Sequence, residues 1–267
     1  LSTSLGSTDI IILSPDGTTG TNGDVNVNDV VTWSANKLTL NAYNNININA
    51  NLNGSGTASL ALIYGQGAVA SMNQSNIIMN GAAVNLPAGT TNFTTLQGSD
   101  GVLKNYTVIT ALGAEGSVTG TDLQGMSGNL AGNYALGGNI DATSTSTWNA
   151  GAGFAPVGSN ITKFTGAFDG LGHTITGLTI NRPATKYVGL FGVSEENTIR
   201  NVGLVGGSVT GYSHVGGLAG YYGRGSVINS YSTGSVTGNW YVGGLVGYND
   251  AAITNSYSTG SVNGFTH

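Results

Sequence analysis

The chain has 267 residues and a formal net charge of −5, and charged residues make up only 7% of it, against about 25% in ordinary globular domains. The few bases form no cluster, which argues against nucleic acid as a partner, since counterion-release binding needs several Lys or Arg together. Cysteine is absent, which excludes disulfides and thiolate metal sites, and no apolar run reaches the roughly 18 residues of a membrane span.

Glycine is abundant at 45 residues and proline scarce at 4, yet hydrophobic residues reach 39%. Val, Ile and Leu alternate with Asn, Ser and Thr, which argues for a packed β fold solubilised without ions rather than for disorder. From the amino end, strand-like runs follow one another: "DIIILS" (9–14), "GDVNVNDVVTW" (23–33), "KLTLNA" (37–42), "NININANL" (45–52), "SLALIYG" (59–65) and "NIIMNGAAVNL" (76–86). In the fourth, Asn45, Asn47, Asn49 and Asn51 alternate with Ile46, Ile48, Ala50 and Leu52. Asparagine is depleted from ordinary strands, so an architecture that stacks equivalent amides into ladders is expected.

Residues 105–160 read as an irregular excursion packed on the regular coils. Leu123, Met126 and Leu130 are spaced like one face of a short helix, with Thr121 as N-cap. The stretch "STSTWNAGAGF" (144–154) reads as a surface excursion.

From 161 onward the chain repeats itself. "NSYSTGSV" occurs at 229–236 and 255–262; "SVTG" at 208–211 and 235–238 returns as "SVNG" at 261–264. Val188, Val215 and Val242 stand 27 apart in "YVGLFG", "HVGGLAG" and "YVGGLVG". A fixed period built from β-formers and turn-formers predicts an all-β parallel β-helix, a β-solenoid with one coil per repeat. Coils of about 25 residues would give roughly ten levels and a rod about 50 Å long. Glycines are expected at corners of positive φ. The three valines are expected inward, with Tyr187, His214 and Tyr241 facing the other way and Tyr231 over Tyr257. The domain reading is 1–104 regular coils, 105–160 excursion, and 161–267 repeat coils. No charged segment leads into an apolar stretch as in a signal peptide, and the chain reads as a piece of something longer.

The stretch "NGDVNVNDVVTWSANKLTLNAYNNININANLNG" resembles the repeats of large exoproteins of the filamentous haemagglutinin and high-molecular-weight adhesin type. "NYALGGNIDATSTSTWNAGAGFAPVG" and "FTGAFDGLGHTITGLTINRP" are similar to a segment that precedes GLUG repeats in such proteins. "VGGLAG" (215–220) and "VGGLVG" (242–247) look like the GLUG core, and "VGLFG" (188–192) like a version one glycine shorter. The resemblance implies a right-handed parallel β-helix, export by two-partner secretion, and a secreted or cell-surface location outside the Gram-negative outer membrane. It also implies attachment to glycans or proteins of host cells, other bacteria or a matrix.

Among candidate sites, His173, His214 and His267 are scattered, and no motif gathers the three or four ligands of a zinc site. Asp24, Asn26, Asn28 and Asp29 faintly match a calcium loop but lack its closing glutamate. Glu195 and Glu196 are adjacent, so in a strand they would point to opposite faces, against the two facing carboxyls of glycoside hydrolysis, whereas in a loop they would be free to converge. Asp169 reads as a turn residue before glycine. "GYYGRGS" (220–226) lacks the strand–helix context and lysine of a phosphate loop. No catalytic residue, metal ligand or cofactor is assigned, and the protein is read as no enzyme. The candidate binding residues, for glycan or protein, are Tyr212, Tyr221, Tyr222, Arg224, Trp240, Tyr241 and Tyr248, whose apolar bodies and polar tips suit recognition. The leading expectation is an adhesin stalk. A structural filament growing by end-to-end self-association is the alternative, and a polysaccharide-active β-helix enzyme the second alternative.

Overall fold

The computed structural model describes residues 1–15 and 23–265, so His267 lies outside the described residues. They form two compact units, the first comprising Leu1–Ile109 with Ala135–Gly138 and the second Thr110–Tyr134 with the described residues from Asn139 onward. Each is a β-solenoid of parallel strands, as the repeats predict.

In the first unit each coil presents three faces. One face stacks Ile10–Ser14, Lys37–Ala42, Ser59–Tyr64 and Gly89–Gln97 in parallel. A second stacks Val25–Val27, Ile46–Ile48 and Ile77–Met79. The third stacks Val31–Trp33, Leu52–Gly54 and Val84–Asn85. Alternation puts Val25, Ile46 and Ile77 inside, level above level, together with Val31, Leu52 and Val84. One strand departs from the parallel rule: Lys104–Ile109 runs antiparallel to Gly89–Gln97, with Tyr106 beside Phe93 in the core.

The expected amide ladders are present on the outer surface. Asn47 Nδ2 donates to Asn26 Oδ1 at 2.9 Å, and Asn49 Nδ2 to Asn28 Oδ1 at 2.7 Å. The second ladder continues as Asn80 Nδ2 donates to Asn49 Oδ1 at 2.6 Å, and a third joins Asn85 to Asn53 at 2.7 Å. Asn45 and Asn51, at the strand ends, accept backbone N–H groups of the next coil instead, from Asn76 and Ala83, both at 2.9 Å. An amide carries both donor and acceptor, so it is complementary to its own copy in register. A charged side chain there would repel its copy, which explains how asparagine overcomes its poor β-propensity.

In the second unit a coil has four strands. The widest face stacks Phe168–Asp169, Phe191–Arg200, Ala219–Ile228 and Val246–Thr254. The next holds Ile140–Asp141, Thr174–Thr176, Gly203–Val205, Tyr231–Ser232 and Tyr257–Ser258. Then come Thr179–Asn181, Ser208–Thr210, Ser235–Gly238 and Val262–Gly264, and finally Lys186–Val188, Ser213–Gly216 and Trp240–Gly243. Val188 and Val215 are fully buried and in register with Val242, and the rings of Tyr231 and Tyr257 stack at 5.3 Å and 6°. Both columns stand where the repeats put them, the valines at a step of 27 residues and the tyrosines at 26.

Two local expectations change. The predicted short helix is a 3₁₀ turn, Gln124–Gly128, that buries Leu123 and Met126 but leaves Leu130 half-exposed. Its first free N–H, on Gly125, is accepted by Asp122 at 2.6 Å, not by Thr121. Glycines do hold positive φ as expected at Gly172, Gly177, Gly206 and Gly207, but those of the "VGGLVG" cores do not. Asn201, Asn229 and Asn255 hold a further column of left-handed corners, at φ 55°, 49° and 49°, a conformation Asn tolerates through local hydrogen bonding. The core glycines serve close approach instead: a Cβ on Gly220 would lie 2.5 Å from the Val188 nitrogen and 2.6 Å from the His214 oxygen.

Candidate functional site

The strand Ser213–Gly216 and its neighbours above and below carry Tyr187, His214 and Tyr241 at one position of successive coils, each with positive φ (63°, 55° and 51°). A left-handed residue with a Cβ costs about 1–2 kcal/mol. Here it swings the ring outward over the coil edge, where His214 meets Tyr187 at 4.7 Å and Tyr241 at 4.6 Å between centroids. Aromatic pairs contribute about 0.5–1.5 kcal/mol beyond burial, so two contacts per ring are of the size needed to offset the strain.

A second column stands beside the first. Tyr221 and Tyr248 are in register on the wide face, stacked at 5.4 Å with planes 8° apart. Edge contacts join the columns, Tyr241 to Tyr248 at 5.4 Å and Tyr187 to Tyr221 at 6.5 Å, with His214 5.6 Å from Tyr248. Five rings thus form one continuous outer array. Tyr221 Oη donates to Asp250 at 2.9 Å, which pushes its pKa up.

Three of the seven predicted binding residues, Tyr221, Tyr241 and Tyr248, belong to this array. Trp240 and Tyr212 lie outside it but are exposed, at 43% and 38%. Tyr222 is a correction: it is fully buried, its hydroxyl donating to the Asn197 carbonyl at 2.7 Å, so it offers nothing to a ligand. The reason is parity, because Tyr221 and Tyr222 are neighbours in one strand and only one can face out. Arg224 is 73% exposed but engaged, reaching Glu196 at 2.9 Å and Glu195 at 3.5 Å. Those two carboxylates do converge, contrary to the strand expectation, because Glu196 has a φ of 58° that interrupts the alternation. Lys163 also pairs with Glu195 and holds its carboxyl below the usual range.

The binding set read from the sequence omitted Tyr187 and His214. The signal was present in the 27-residue step that places both beneath Tyr241. The geometry also changes what the array can do. Tyr221 and Tyr248 turn their faces toward one another, while His214 meets Tyr187 and Tyr241 with planes tilted by 41°. Beside the columns Trp240 and Tyr241 are exposed, at 43% and 47%, and the hydroxyls of Tyr187 and Tyr241 stand two coils apart with His214 between them.

Elsewhere, Asp24 accepts from the Asn45 backbone N–H at 2.8 Å and from the Asn47 amide at 3.2 Å, starting the amide ladder rather than a calcium loop. Among the described residues no three His, Asp or Glu gather as metal ligands. Asp169 makes the expected turn, accepting from the Leu171 N–H at 3.0 Å, and also pairs in the interior with Arg200 at 2.6 Å.

His214 Nδ1 lies 2.7 Å from Ser213 Oγ. Burial lowers the His214 pKa, with the Lys186 charge adding to the effect. The folded state therefore resists protonation more than the unfolded chain, whose histidine titrates near 6.5. Stability is full above about pH 6.5 and declines as pH falls from there through the lowered folded value. His214→Tyr, which copies the residue at the equivalent positions 187 and 241, should remove this part of the acid sensitivity in unfolding curves between about pH 7 and 5. An unchanged pH slope would contradict the assignment.

The fold and its ring columns define a repeat-built parallel β-solenoid in which one sequence repeat forms one coil. Two stretches, residues 211–237 and 238–263, match the family model of the GLUG motif, and each match spans one coil of the second unit. The chain is similar to halomucin of Haloquadratum walsbyi, 40% identical over 121 residues, which is 43% of this chain and 1% of that protein. It is also similar to a protein of Evansella cellulosilytica named as a Gly-rich membrane protein, 46% identical over 61 residues, 22% of this chain and 7% of that one. The chain thus spans only a small part of either relative's length. No solved structure gives a significant match.

Proposed function

We propose that the chain is a segment of a secreted or surface-displayed attachment protein, built in the manner of the filamentous haemagglutinin-type exoproteins, in which the solenoid carries a recognition surface for glycan or protein. The observation that carries this reading is the outer aromatic array of Tyr187, His214, Tyr221, Tyr241 and Tyr248 with exposed Trp240 at its margin. Tyr and Trp are enriched where one surface recognises another. The GLUG matches and the membrane-protein name of one relative support display at a cell surface. No described helix is long and apolar enough to cross a membrane. The proposed role is non-enzymatic, supported by the engagement of Glu195 and Glu196 with Lys163 and Arg224 and the burial of Asp169 against Arg200.

The test is binding of the folded chain to a broad glycan array and to immobilised matrix proteins, with Trp240→Ala alongside. Removing an aromatic anchor that the ligand covers costs about 2 kcal/mol or more, so binding should fall about 30-fold. Wild-type binding that Trp240→Ala leaves intact would contradict recognition at this margin.

A further inference from the structure

The sequence contains five Asn-x-Ser/Thr triplets without proline, starting at Asn53, Asn73, Asn92, Asn105 and Asn160. A chain so rich in Asn, Ser and Thr produces such triplets by composition alone, so the triplet itself says little. The fold, however, treats the five differently. N-glycan transfer requires the asparagine amide and the hydroxyl two residues on to enter an enzyme's cleft together, so the triplet must be accessible on an exposed loop.

Four triplets fail that requirement. Asn53 lies in Leu52–Gly54, a strand paired on both sides, and its Oδ1 accepts from the Asn85 amide at 2.7 Å. Asn73 donates from Nδ2 to the carbonyls of Gly65 and Ala68, while its Oδ1 accepts from the Ser75 N–H at 3.0 Å. Asn92 donates to the Pro87 carbonyl, and the next residue of its triplet, Phe93, is fully buried. Asn105 is exposed but sits in the strand Lys104–Ile109, locked against Gly89–Gln97, with Tyr106 buried at its centre.

Asn160 differs on every count. Residues 160–163 are all exposed and lie outside any strand, and Ile161 is 87% exposed. The loop is held at both stems. Val157 and Phe164, each fully buried, bridge to Phe191 and Ser194 of the same strand. Its tip is shaped by a 2.7 Å hydrogen bond from the Ser159 N–H to the Thr162 carbonyl, with the Ser159 and Thr162 hydroxyls 3.2 Å apart. Among the described residues no hydrogen bond ties down the Asn160 side chain. The tip therefore projects as a short, anchored, solvent-facing turn, the class of site where modifying enzymes gain access without unfolding the domain.

We propose that Asn160 is an N-glycan attachment site of the folded protein. In the step, Asn160 Nδ2 attacks the anomeric carbon of a polyprenyl-diphosphate-linked oligosaccharide. The new N–C bond forms as the sugar's C–O bond to diphosphate breaks. The lipid diphosphate leaves, and one amide proton passes to the transferase base. The assignment is independent of the attachment reading, since it rests on the loop alone.

The experiment incubates the purified folded chain with an oligosaccharyltransferase whose only acceptor requirement is Asn-x-Ser/Thr, together with its lipid-linked donor. Glycopeptides are then quantified by mass spectrometry. A synthetic peptide spanning 157–164 establishes that the triplet is a chemical acceptor, and the heat-unfolded chain reports the intrinsic rates of all five. The expected result on the folded chain is modification at Asn160 at least tenfold above any other triplet, abolished by Asn160→Gln and by Thr162→Ala. The selectivity should collapse on unfolding. A folded chain left unmodified at Asn160 under conditions that modify the peptide would overturn the proposal. So would comparable modification at a strand-bound triplet.

Discussion

Replacing Arg200 by methionine is expected to destabilise the second unit by about 3–5 kcal/mol. Arg200 and Asp169 are both almost fully buried, their Nε and Oδ2 atoms 2.6 Å apart across adjacent coils. Removing the guanidinium leaves the carboxylate in the interior with the Leu171 N–H and the Asn201 amide, each at 3.0 Å, as its donors among the described residues. The pair need not stabilise the fold relative to an apolar pair, because desolvating two charges costs about what their attraction returns. The double variant Asp169→Asn with Arg200→Met should therefore regain more than half of the loss, since no charge is then stranded. Urea unfolding followed by tryptophan fluorescence reads this, with Trp148 and Trp240 in the second unit. A double variant as unstable as Arg200→Met alone would show that the arginine acts through packing.

The second large effect is expected at Gly220. A methyl group there would meet backbone atoms on two neighbouring strands, the Val188 nitrogen and the His214 oxygen, at 2.5 and 2.6 Å. Backbone in a stacked coil cannot move aside as a flexible side chain can, so Gly220→Ala should cost about 1–3 kcal/mol through overpacking. Gly138→Ala, where nothing lies within 4 Å of the added carbon, is the control and should be neutral or slightly stabilising. Gly220→Ala should also push the coils carrying Tyr187 and His214 apart and weaken the near-ultraviolet circular dichroism of the ring array. A Gly220→Ala protein as stable as wild type would contradict close approach as the reason for glycine in these cores.

What could be read from the sequence follows from how the chain meets itself. In the second unit Val188, Val215 and Val242 recur at a constant step, so inward column, ring column and coil count per repeat were all legible. In the first unit Val25 meets Ile46 after 21 residues, but Ile46 meets Ile77 after 31, because a loop with a 3₁₀ turn at Ala70–Met72 enters one coil. There only strand alternation and the asparagine rows remained as signals. The buried position of Tyr222 was also legible, since two adjacent tyrosines in a strand cannot both face outward. The left-handed backbone at Tyr187, His214 and Tyr241 was not, because propensity favours Asn or Gly there and ring stacking overrides it. Nor was the Asp169–Arg200 pair, whose partners are 31 residues apart, a spacing that the 27-residue step does not give.

The outer aromatic surface of this solenoid is the proposed recognition surface. Its most direct test is saturation binding of the folded chain to whichever array ligand it retains, comparing wild type with the double variant Trp240→Ala, Tyr241→Ala. Unfolding curves recorded in parallel verify that the variant remains folded. The account predicts saturable wild-type binding that the folded double variant loses. Equal binding by both proteins, or no binding by the folded wild type to glycans or proteins, would contradict it.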